Sequence, residues 1–265
     1  MSTLLLYKEI KALNRDQHKA LKLKTDKGCE FAAGTHIVPL AGLEFFQAAR
    51  SYPIVFIGEG DGLSPIALMG LKQGLNSFVG DSGQWRSNTY VPAFIRRYPF
   101  VLAQSDNDEF TVCFDEAYAG WNEEEGRELF AESGENSPYL DEMIQFLQNF
   151  TAEMQRTRQF VAMLREMDLL VPRTLKLTHV SGESFVLKDF HAVDEERFLA
   201  LADEQVLALN KAGFLGFNNA FEDFCDIKRF NRTIDRDQDG AISTHGKGGS
   251  QSVYRTGFWT QCDNS

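Results

Sequence analysis

The chain has 265 residues, 43% of them hydrophobic and 12% aromatic, with a formal charge of -11 and an isoelectric point near 5.0. That length and apolar share can build a sizeable core and exclude a disordered chain. The negative field opposes binding to nucleic-acid phosphates or anionic lipid, and no run approaches the roughly 18 apolar residues of a membrane span.

The opening MSTLLLYKEIKALNRDQH lacks the basic n-region, long apolar run and cleavage site of a signal peptide. Cys29, Cys113, Cys225 and Cys262 match no zinc, redox or disulfide spacing. A soluble, cytoplasmic protein with free thiols is therefore expected, with export lacking a cleaved signal left open. One α+β domain is expected over 1–232, followed by a polar, glycine-rich, partly ordered tail over 233–265.

In chain order, LKLK at 21–24 alternates with period two, and THIVPL at 35–40 reads as an edge strand closed by Pro39. GLEFFQAAR at 42–50 predicts a short helix. The apolar run at 53–57 has strand length, and the glycines at 58, 60 and 62 break it. Two further strands are predicted at 65–71 and 76–79. FVLAQ-SDND-EFTVCF reads as a hairpin, because Asp106, Asn107 and Asp108 tolerate turn geometry.

The periodicity then changes. Ser137 and Pro138 supply an N-cap and a first-turn proline, and apolar residues from Leu140 to Leu164 recur at helical steps until Pro172, with 149–151 as the place for a bend. A second hairpin, TLKLTH-VSGE-SFVLKDFHAV, follows. Asp194 caps a predicted helix over 195–212 that stops at Gly213, and 214–230 reads as a shorter helix returning to the core. The fold class is α+β: a β-rich first half and a helix-dominated second half holding one long helix and a β-hairpin.

The densest chemistry lies at 83–100, GQWRSNTYVPAFIRRYPF, where Trp85, Tyr90, Phe94, Tyr98 and Phe100 surround Arg86, Arg96 and Arg97. Guanidinium groups bind carboxylate or phosphate in bidentate fashion and stack on rings. Arg96 and Arg97, walled by Tyr90 and Trp85, are thus candidate binding residues. The alternative is architectural, with ion pairs to Glu44, Asp115 or another acid; on that reading Trp85 and one of the two arginines are largely buried.

LNRDQHKALKL at 13–23, VPLAGLEFFQAARSYPIVF at 38–56 and WRSNTYVPAFIRRYPF at 85–100 are similar to the SapC-like bacterial proteins, a resemblance extending to about residue 230. That resemblance implies little chemistry. The family is named from a surface-layer locus, and its members tend to be encoded beside tryptophan-halogenase-like and cupin-like proteins and outer-membrane receptors, which implies an accessory role in modification or uptake.

Other motifs carry competing readings. His18 has the side chain for acid-base work near neutral pH, or is a hydrogen-bonded packing residue. His179 and His191 could face each other across the second hairpin, and GEGDG at 58–62 reads as a turn, because the strand after it leaves no helix for a dinucleotide phosphate. DRDQDGAIS places Asp235, Asp237, Asp239 and Ser243 at ligand positions of a calcium loop, but Gly246 stands where the bidentate glutamate belongs, so any calcium binding would be weak.

These observations point first to an accessory or binding protein engaging a protein or peptide partner, with the acidic loop 122–128 as a rim. The rival is an enzyme using the arginine-aromatic stretch as an anion pocket with His18 as acid or base; the third reading is a surface-layer structural protein.

Overall fold

The computed structural model describes residues 5–25, 27–104, 110–179, 184–214 and 242–243. Short strands alternate with tight turns through the first half. β1 (Ile10–Ala12), a single helical turn α1 (Arg15–His18), β2 (Lys22–Leu23) and β3 (Ile37–Pro39) come first. A 3-10 turn Gly42–Glu44 runs directly into α2 (Phe45–Ala48), matching the short helix expected there, and β4 (Ile54–Ile57) and β5 (Ser64–Leu68) follow. After α3 (Ala93–Arg96) come β6 (Phe100–Gln104), β7 (Phe110–Asp115), β8 (Trp121–Asn122) and β9 (Arg127–Glu128).

The second half opens with α4 (Pro138–Glu166), a 29-residue helix that Ser137 caps by accepting the Leu140 amide at 3.2 Å. β10 (Leu170–His179) and β11 (Ser184–Val193) form the second hairpin, α5 (Glu195–Leu199) and α6 (Asp203–Lys211) follow, and β12 (Ile242–Ser243) is the last described element. The protein is α+β, with the long helix and hairpin in its second half.

Among the described residues the strands form three antiparallel sheets. The largest runs β12-β10-β11-β4-β5-β3, so the late hairpin completes a sheet begun by the first half, with β3 at its edge. The others run β1-β7-β6 and β8-β2-β9. In β4, Ile54 and Phe56 enter the main core while Val55 joins Ile66 and Phe190 in a second cluster. Successive strand side chains point to opposite faces, so an apolar run without alternation marks a strand covered on both.

One helix ties two cores together. At its N-terminal end Leu140 and Leu147 pack with Phe100 and Phe114, and farther along Phe160, Val161 and Leu164 pack with Phe45, Ile54 and Phe56. A helix of this length spans about 43 Å, enough to reach across both clusters. Thr157, buried in α4, accepts the Gly42 amide at 2.7 Å and so pins the 3-10 turn to the helix.

Three expectations are corrected. The helix over 195–212 is two helices: the chain turns at 200–202, Gln205 Oε1 accepts the Ala202 amide at 3.1 Å, and the turn lets Leu201 pack on the core while Leu209 is fully buried. Gly213 ends α6 at φ 73°, a conformation glycine adopts without steric cost. Residues 76–79 form no strand, only a Val79–Trp85 bridge, because the buried Asn76 side chain takes the Ala32 carbonyl and the Phe78 amide. His191 sits opposite Pro172 in the hairpin register, not opposite His179. The turns at 105–109 and 180–183, the segment 215–241 and the remainder of the tail lie outside the described residues.

Candidate functional site

The dense stretch is built around a buried acid on another element. Glu44, on the 3-10 turn, accepts the Ala41 amide at 3.0 Å through one oxygen; through the other it accepts the Ala93 amide at 2.6 Å and the Tyr90 hydroxyl at 3.0 Å. It thereby fastens the start of α3 to the turn before α2. Burial pushes the Glu44 carboxyl above its usual range, against the pull of these hydrogen bonds and of Arg96. The Tyr90 phenol is pushed up to about 12, by burial first and then by the Glu44 charge.

Arg96 completes the chain outward. It is exposed, donates to Tyr90 Oη at 3.2 Å and to the Val91 carbonyl at 3.0 Å, and lies over the Phe146 ring of α4 at 5.2 Å. Glu44, Tyr90 and Arg96 thus form a continuous path from core to surface.

Arg97, the next residue, turns the other way and is only 5% exposed. Its guanidinium lies over three rings, Phe94 at 4.2 Å, Phe150 at 5.2 Å and Tyr7 at 5.7 Å. Burial lowers its pKa, and Tyr7 opposes that shift. Rings that give a cation an electrostatic surface in a desolvated place make such a residue structural.

A second acid holds the far end. Asp115, fully buried, accepts the Lys8 backbone amide and the Tyr98 hydroxyl at 3.0 Å through one oxygen, and the Glu9 amide at 2.9 Å and the Ala117 amide at 3.2 Å through the other. Burial alone would raise its pKa, but these four donors together hold it below the ordinary carboxylate value. Neither acid's contacts were readable from spacing, since each joins segments far apart in the chain.

Trp85 is half-buried, less than the architectural reading expects, and stacks on the buried Phe78 at 6.2 Å between ring centroids. His18 lies elsewhere: its Nδ1 accepts the Asn14 amide at 2.9 Å and its ring packs edge-on against Phe114. That hydrogen bond returns the favour of Asn14, whose side chain accepts the Asp16 and Gln17 amides to start α1. None of the described clefts is lined by both His18 and Arg96. Asp235, Asp237 and Asp239 lie outside the described residues, while the backbone of Ser243 pairs with Thr178. No group of acids, histidines and cysteines suited to a metal occurs among the described residues.

Fold and site together define an α+β protein whose arginine-aromatic block joins its layers internally and presents one guanidinium, Arg96, at the surface. The SapC family model matches residues 13–221, most of the chain, and the protein belongs to the SapC family. No curated protein and no solved structure matches it. No described helix is long and apolar enough to cross a membrane.

Proposed function

We propose that this protein is an accessory or binding protein that engages a protein or peptide partner through the face around Arg96. One observation carries the reading: on the segment that Glu44 fastens to Tyr90 and Arg96, Leu43 is 59% exposed and Phe46 52% exposed. Phenylalanine, tyrosine and arginine are enriched at partner interfaces, and large apolar side chains left in solvent gain by being covered. A role within a halogenase-like modification or uptake system fits that reading.

The acidic loop 122–128 supplies a rim. Asn122 Oδ1 accepts the Glu124 and Glu125 amides and shapes the loop, and Glu125 pairs with Lys24 at 2.7 Å. The exposed acids beside it steer a basic partner more than they hold it.

The test is purification of the tagged chain from its native cell at low salt, beside an L43S/F46S/R96A variant. A stoichiometric partner recovered with the native chain and lost with the variant supports the reading. Turnover of a small molecule by isolated monomer, with no partner at any salt concentration, overturns it in favour of an enzyme.

A further inference from the structure

The largest sheet splits at one place. β4 pairs with β11 only through Ile57–Phe190 and Phe56–His191, and then the chain turns away through the 3-10 turn Gly60–Gly62. Gly58 makes that departure at φ 108°, where a Cβ would sit 2.4 Å from the Gly62 carbonyl oxygen. β11 continues to Ser184, so residues 186–189 have no strand on the β4 side among the described residues. An open strand edge presents unpaired amide and carbonyl groups, a template for another strand.

The backbone is distorted at the same place. Between the Arg173–Phe190 and Leu175–Leu187 pairs, one residue of β10, Thr174, faces two of β11, Lys188 and Asp189, and Asp189 lies at φ 58°. This is a β-bulge with its left-handed position filled by an aspartate where glycine is the ordinary choice. Strain of this kind concentrates at binding sites.

A cleft of about 400 Å³ opens into this notch, lined among others by Gly58, Glu59, Arg173, Asp189 and His191, within the roughly 300–1,000 Å³ typical of ligand sites. Arg173 already has an interaction within the protein. The exposed Glu59 and Asp189 carboxylates have no hydrogen-bond or ion-pair partner among the described residues. His191 Nδ1, shut off from solvent, also makes no hydrogen bond among the described residues.

We propose that this notch is a peptide-binding site: an extended peptide adds as a strand along residues 186–189 of β11 and places a lysine or arginine side chain between Glu59 and Asp189. Main-chain pairing supplies affinity and the carboxylates supply selectivity, the division of labour in strand addition. Val186, 49% exposed, offers an apolar contact beside the edge. The site shares no residue with the Arg96 face, so either can fail while the other stands.

The test is titration of the isotopically labelled full chain with the capped peptide acetyl-Thr-Val-Lys-Val-Thr-amide, followed by amide NMR shifts. Shifts concentrated at 58–60 and 186–191 are expected, with a dissociation constant on the order of 1 mM. Affinity should fall about fivefold or more in an E59Q/D189N variant, where asparagine still tolerates the left-handed backbone. The L43S/F46S/R96A variant should bind the peptide as the native chain does. Equal binding of a glutamate-containing or backbone N-methylated peptide, no shifts up to about 5 mM, or concentration-dependent pairing of two copies through β11 would each overturn the proposal.

Discussion

The guanidinium carbon of Arg97 sits 4.2 Å from the centre of the Phe94 ring, three residues earlier, while the adjacent Arg96 is exposed and donates to Tyr90 Oη and the Val91 carbonyl. Two arginines neighbouring in sequence therefore do opposite work. One is core and the other is surface.

The stability of the two single substitutions should differ accordingly. R97A removes a buried side chain packed on three rings and should cost about 3 kcal/mol, whereas R96A should cost less than about 1 kcal/mol. Urea unfolding of both variants checks this, and equal midpoints would show that Arg97 is not a core residue.

Asp115 should govern the acid limb of the stability curve. Its folded pKa lies below the ordinary value, so its contribution is present above the unfolded value of about 3.9 and is lost as pH falls through the folded value. D115N puts an amide donor against groups that all donate, and should cost about 2–4 kcal/mol near neutral pH. Its urea midpoint should also fall less steeply than the native one below pH 4.

Glu44 carries the opposite sign. Its folded pKa is raised, so its term is most favourable below the unfolded value of about 4.3 and is lost as pH rises through the folded value. E44A leaves the buried Ala41 and Ala93 amides without their acceptor and should cost about 2–4 kcal/mol. Y90F, which removes one of the three donors to Glu44 and the acceptor for Arg96 but leaves both backbone amides paired, should cost about 1 kcal/mol. A Y90F loss as large as that of E44A would contradict the central place given to the carboxylate.

Calcium at Asp235, Asp237 and Asp239 should bind with a dissociation constant of about 0.1–1 mM, because the loop lacks its terminal bidentate acid. Isothermal titration of the full chain against one ending at Arg232 decides the matter. Identical flat traces remove calcium from the account.

Local pattern carried the long helix by itself: the Ser137–Pro138 start and the apolar stripe to Leu164 need only the geometry of one helical turn repeated. The β4–β5 and β6–β7 hairpins follow likewise from short apolar runs separated by turn residues. The family, too, was readable from contiguous blocks. Which arginine is buried was not, because that depends on Tyr7 and Phe150 arriving from segments far before and far after it in the chain. The break at 200–202 and the joining of the late hairpin to β4 have the same origin. Each is decided by burying apolar groups and satisfying polar ones between segments far apart in the chain, and residue spacing along one segment does not encode that choice.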